Sequence, residues 1–143
     1  MKKFVFELED VMKYREFVQS QAEIELGKAM AAEHEIQVKL DALAMQAVSV
    51  KNSMKGSTDF EAIRSANSFY TFLDTQKEFL LKKMAEAKIV SEEKRKILQE
   101  AVKKTEALHK LRERKLEEYH EAENLEEENI TDDMVTAKRN AEK

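Results

Sequence analysis

From Leu8 to Met54 the apolar residues recur at steps of three and four: Leu8, Val11, Val18, Ala22, Ala29, Ala32, Ile36, Leu40, Leu43, Ala47, Val50 and Met54. Such stepping is the seam of a heptad repeat and predicts one long amphipathic helix. Arg15 and Glu25 interrupt the seam, and Arg15 reaches water along its aliphatic stem. The pattern stops at Lys55-Gly56-Ser57-Thr58-Asp59-Phe60-Glu61. There Gly56 takes the left-handed conformation that ends a helix, and Thr58 with Glu61 forms a capping box that starts the next. A second seam follows through Phe69, Leu73, Leu80, Ala87, Val90, Ile97, Ala101, Leu108, Leu111, Tyr119, Ala122 and Leu125, interrupted by Gln76 and Lys94. Gly27 sits mid-helix, at a cost of about 1 kcal/mol relative to alanine, and marks a close approach or a mild bend.

Two seams and one turn predict an all-α fold, a long two-helix antiparallel coiled coil forming a single domain. Helix 1 covers 4–54, the turn 55–59, helix 2 covers 60–128, and 129–143 is a frayed tail. Helices of these lengths span about 75 Å and about 105 Å at a rise of 1.5 Å per residue, so the second outruns the first. Folding about residue 56 sets Val50 beside Ile63, Leu43 beside Tyr70, Ile36 beside Phe79, and Phe4 beside Leu108 to Leu111. Everything after Arg112 then overhangs without a partner helix.

Composition supports this reading. Of 143 residues 38% are charged, with two glycines and no proline, which suits long helices and leaves material for very few turns. The absence of cysteine excludes disulfides, thiolate chemistry and Cys-ligated metal sites, and fits the cytosol. The start, Met1-Lys2-Lys3-Phe4-Val5-Phe6-Glu7, meets acid before any signal-peptide core develops, and no stretch approaches about 18 apolar residues. A soluble protein that stays inside the cell is expected. A net charge of −4, with both signs mixed along the chain, lacks the concentrated basic surface that nucleic acid requires.

Candidate chemistry is sparse. Glu106-x-x-His109 and Glu117-x-x-His120 match the spacing of di-iron bundles, but both lie on one helix, and such a site needs ligands from facing helices. Solvated surface is the simpler reading, so no metal and no cofactor are expected. No nucleophile elbow or phosphate-cradling glycine loop is present, and the chain is read as non-enzymatic. Asn129-Ile130-Thr131 reads as a helix-end loop. One anomaly stands out: Phe69, Tyr70, Phe72 and Phe79 crowd into one short stretch, more rings than a two-stranded seam buries. With Phe69, Leu73 and Leu80 in the seam, Phe72 and Phe79 share another side of the helix with Gln76 and Lys83. That stripe is either a ridge for a binding partner or part of a wider core completed by oligomerisation.

These residues resemble the flagellar type III export protein FliJ family. The likeness rests on the opening Phe4-x-Phe6-x-Leu8-x-x-Val11-x-x-x-Arg15, the two-helix plan, the aromatic run from Phe69 to Leu80, and the stretch Leu111-Arg112-Glu113-Arg114-Lys115-Leu116-Glu117-Glu118-Tyr119. It covers nearly the whole chain. The resemblance implies a coiled coil like that of the rotary ATPase gamma subunit. It also implies a cytoplasmic protein, peripherally associated with the inner-membrane export apparatus. Its partners would be the export ATPase hexamer, bound like a central stalk, the cytoplasmic region of the export gate, and export chaperones; it would hydrolyse nothing itself.

Carried over by motif, the gate-contacting surface falls on Phe72, Gln76, Phe79 and Lys83, the stripe left over once the seam is assigned, with Lys39, Leu43, Gln46 and Val50 flanking it on helix 1. Gln76 and Lys83 depart from an apolar version of that stripe and tune the contact differently. By analogy with stalk subunits, the end carrying both termini meets the ATPase, and Lys13, Arg15, Arg112, Arg114 and Lys115 become candidate contacts to acidic loops of the ring. Each is equally readable as a solvated member of an i, i+4 pair. Two alternatives stay open: the equivalent stalk protein of a virulence secretion system, and a self-associating structural coiled coil.

Overall fold

A computed structural model describes residues 2–142 of the chain. It contains two helices, α1 (Glu9–Ser53) and α2 (Phe60–Ala141), and no strand among the described residues. The helices pack antiparallel as a coiled coil, and the second is the longer. The chain divides into two compact units: Gln21–Gln99, and the first 20 residues with those from Glu100 onward.

In the unit Gln21–Gln99, the fold-back occurs where both helices lose their pattern. Gly56 has φ 78°, a left-handed conformation that glycine adopts without steric cost, and it is the only positive φ among the described residues. The Met54 N–H donates to the Val50 carbonyl at 3.0 Å, and the Ser57 N–H to the Met54 carbonyl at 3.0 Å, closing the end of α1. The cap of α2 is Asp59 rather than Thr58. The Glu61 N–H donates to Asp59 Oδ1 at 3.2 Å, and the Ile63 N–H to the Asp59 carbonyl at 3.0 Å. A capping side chain must immediately precede the first helical residue, and Asp59 holds that place.

The fully buried positions in the seam of this unit are mostly small residues. Ala22, Ala29, Ala66, Leu73, Met84 and Ser91 are buried, while Leu26, Glu33, Ile36, Leu40, Leu43, Ala47, Val50 and Met54 are half-buried at alternating steps of three and four. Glu33 takes the place expected of Ala32, and Ser91 that expected of Val90, which lies exposed. Counting apolar letters rewards the wrong neighbour here. The Ser91 hydroxyl is bonded to the Glu33 carboxylate and to the Lys88 carbonyl, so a small polar group is satisfied inside the seam. Glu25 answers Lys94 at 4.0 Å, placing the two expected interruptions opposite each other as an ion pair.

The register differs from the expected one. Glu33 meets Ser91 and Glu25 meets Lys94, about two helical turns further along α2 than a symmetric fold about residue 56 implies. Ala66 is the first buried residue of α2, and Phe60 and Ile63 before it are exposed, so the start of α2 precedes the paired region. The turn is not symmetric, because residues 54–59 are spent travelling along the axis as well as across it.

In the other unit, Met12, Ala101 and Thr105 form the seam, and Thr105 Oγ1 lies 2.9 Å from the Ala101 carbonyl and 3.2 Å from that of Arg15. Leu8 and Val11 here, like Ile97 in the unit Gln21–Gln99, were expected in the seams and are exposed. Tracing alternate steps of three and four back from Ala22 leads through Gln19 and Arg15 to Met12, one place away from Val11 and Val18. Residues 2–6 are not helical. α1 begins at Glu9 rather than near Phe4, and the spacing Phe4-x-Phe6-x-Leu8 has the period of two that belongs to extended chain. Glu9 meets Arg112 and the Lys2 carbonyl meets Tyr119, so the seven steps back from Glu9 carry this segment past seven residues of α2. Phe6 is buried, and the Phe4 ring centroid lies 5.5 Å from that of Tyr119. Partnering therefore extends past Arg112, where the overhang was expected to begin, to Tyr119. Nor does the helix end near Glu128: it continues to Ala141, because nothing in 129–141 is a glycine or proline that would stop it. Asn129-Ile130-Thr131 is thus helical, and every described residue from Asn124 onward is exposed.

Candidate partner-binding surfaces

Steps of four, three and four place Phe72, Gln76, Phe79 and Lys83 along one side of α2. Leu73 is buried and Leu80 half-buried, which turns the residue just before each of them to the flank of the seam. Phe72 is accordingly 56% exposed and Phe79 55% exposed. Two phenyl rings one heptad apart in water are unfavourable unless something covers them. The Phe69 and Phe72 rings stack at 6.3 Å and 27°, and the Lys83 ammonium sits 5.4 Å from the centre of the Phe79 ring. Lys83 thus caps one ring with a cation. Gln76 differs from the other three: it is half-buried and sits in the seam between Leu73 and Leu80.

The flanking residues of α1 divide the same way. Lys39 and Gln46 are exposed, and Lys39 pairs within its helix with Glu35 at 3.6 Å. Leu43 and Val50 are half-buried seam residues, so only their outer edges face water.

At the termini the five basic candidates separate by how far they are already engaged. Arg112 Nε bonds Glu9 Oε2 at 3.1 Å, and its guanidinium lies 5.6 Å from the Phe4 ring centre. Arg15 is half-buried over the Tyr14 ring at 5.8 Å. Both serve the packing of their own unit. Lys13 and Arg114 are exposed, and Lys115 is exposed with its ammonium 3.5 Å from Glu118. The clasp around the extended segment was not visible in the heptad pattern. Tyr119 donates its hydroxyl hydrogen to the Lys2 carbonyl at 2.6 Å, and an open cleft lies among Lys2, Lys3, Phe4, Lys115, Glu118 and Tyr119. Desolvation, a hydrogen bond with Glu123, and the Glu123 and Glu126 carboxylates push the Tyr119 phenol above its ordinary value of 10.0.

Neither histidine of the Glu-x-x-His pairs meets a third ligand: among the described residues no group of three His, Asp or Glu side chains converges on one point. His109 Nε2 instead faces Glu16 Oε1 across the two helices at 2.9 Å. No helix among the described residues is long and apolar enough to cross a membrane.

Compared with known proteins, the chain matches the family model described as "Flagellar FliJ protein" over residues 4–142. The chain belongs to the flagellar FliJ family. Neither the curated proteins nor the solved structures gave a match. Membership makes this a flagellar protein associated with the export apparatus, and it takes in both surfaces described above, since the matched residues run from Phe4 through the aromatic stripe to the exposed end of α2. It agrees with the family likeness carried by the opening Phe-x-Phe-x-Leu and the aromatic run.

Proposed function

We propose that this FliJ-family chain is a stalk-like, non-catalytic component of flagellar protein export. The ridge of Phe72, Phe79 and Lys83 docks on the cytoplasmic region of the export gate, with Lys39 and Gln46 at its border and Gln76, Leu43 and Val50 supporting it from the seam. The end bearing the termini meets the export ATPase hexamer through Lys13, Arg114 and Lys115, with Arg15 and Arg112 holding that end together. Export chaperones are further partners of the same adaptor.

The observation that carries this reading is the pair of half-exposed phenyl rings beside a seam that is already filled, in a chain of a flagellar family. Rigid aromatic side chains that offer area at little entropic cost are the usual anchors of protein interfaces. The flagellar family match favours this apparatus over its counterpart in virulence secretion.

The test is binding of the full chain to the purified gate cytoplasmic domain and, separately, to the ATPase. Phe72→Ala with Phe79→Ala is expected to weaken gate binding at least tenfold and leave ATPase binding intact. Arg114→Glu with Lys115→Glu is expected to do the reverse. Gate binding that is indifferent to the loss of both rings contradicts the assignment.

A further inference from the structure

α1 carries a second apolar line that its pairing with α2 does not use. Ile24, Ala31, Val38 and Met45 recur every seven residues, each two places past a seam residue (Ala22, Ala29, Ile36, Leu43) and two before the next (Leu26, Glu33, Leu40, Ala47). Midway between successive seam positions is the side of a helix that points directly away from its partner. In an ordinary two-stranded coil that side is the most polar. Here Ile24 is 50% exposed, Val38 52% and Met45 73%, and Ala31 is exposed as well.

Gly27 lies on the flank of this line, one turn before Ala31. A methyl group built on Gly27 would meet nothing within 4 Å, so no contact inside the chain explains a glycine in the middle of a 45-residue helix. Glycine there costs helix stability, and the notch it makes beside Ala31 is what a second helix approaching closely would need.

We infer that this outer face of α1 pairs with the same face of a second copy of the chain, antiparallel and centred on Ala31. An isologous contact requires that each residue's opposite number in turn face it, and this sequence satisfies that rule about Ala31. Ile24 falls against Val38 of the second copy and Val38 against its Ile24, while Ala31 meets Ala31 at the crossing, where small residues let the axes come close. On one flank Lys28 falls opposite Glu35, twice by symmetry. On the other, His34 lies over the notch at Gly27. Lys28 and Glu35 are both largely solvated in the single chain, and among the described residues their partners are the intrahelical Glu25 at 3.4 Å and Lys39 at 3.6 Å, so both are available to a second copy. A contact of about three heptads is at the small end of specific interfaces, which makes the dimer weak and concentration-dependent, with a dissociation constant of about 1 μM or above.

Sedimentation equilibrium of the full chain over a wide concentration range tests this. The expected result is reversible monomer–dimer association, weakened at least tenfold by Ile24→Glu or Val38→Glu with helicity by circular dichroism unchanged, as befits exposed positions. Lys28→Glu and Glu35→Lys are each expected to weaken the homodimer. An equal mixture of those two single variants restores association at least tenfold over either alone, because the heterodimer regains both opposite-charge pairs. A chain that stays monomeric to about 1 mM, including one whose ridge binds only a different protein, overturns the inference, as does a dimer indifferent to these changes or not rescued by mixing.

Discussion

Tyr119 shows how much of this protein's order rests on single polar atoms beside small hydrophobic patches. Its ring packs at a tilt against Phe4, its hydroxyl bonds the Lys2 carbonyl, and desolvation together with Glu123 and Glu126 holds its phenol above its ordinary value of 10.0. A raised value in the folded chain means that the neutral phenol is favoured there. Its contribution is therefore fully present below about pH 10 and is lost only as pH rises through the raised value. Tyrosinate absorbance should show a late-titrating component, and Tyr119→Phe should abolish it. Phe4→Ala is expected to cost about 1 kcal/mol and to speed amide exchange in residues 2–8 while leaving the middle of α2 protected, because the ring pair is what holds the extended segment down. None of this was legible from heptad counting. The signal was the period-two spacing Phe4-x-Phe6-x-Leu8, since a helix would turn Phe6 to the side opposite Phe4 and Leu8.

At the scale of elements, the existence and type of both helices and the location of the turn follow from the sequence, because two glycines and no proline leave one place for a reversal. Gly56→Ala should destabilise the chain by about 1–2 kcal/mol, since a Cβ is strained at φ 78°. Gly27→Ala, studied at dilution, should raise the melting temperature through a gain of up to about 1 kcal/mol, since its Cβ enters open space. The two glycines thus separate by sign in one denaturation experiment. Seam membership was less legible. Glu33, Ser91 and Thr105 are polar letters in core places, and Val90 and Ile97 are apolar letters outside it. Hydrogen bonds within α2 and across to α1 make the first group acceptable inside, and they cannot be seen by ranking hydrophobicity. The aromatic stripe was legible for a geometric reason: four rings in one short stretch exceed what two seam positions per heptad hold, so some of them had to be outside, and with Phe69, Leu73 and Leu80 in the seam these are Phe72 and Phe79.

For the molecule as a whole, the claim on which the surfaces depend is how far α2 has slid along α1. The contacts Glu33 to Ser91 and Glu25 to Lys94 set one register; a symmetric fold about Gly56 sets another, with Ile36 beside Phe79. The difference decides function, because in the second register Phe79 would be drawn toward the α1 seam and the ridge assigned to the export gate would be partly consumed. The native chain has no cysteine, so introduced pairs report without interference. The decisive measurement is intramolecular disulfide formation, under mild oxidation at low protein concentration, in Glu33→Cys with Ser91→Cys and in Ile36→Cys with Phe79→Cys. Efficient closure of the first pair and little of the second is the predicted result; the opposite order would contradict the register and the exposed ridge with it.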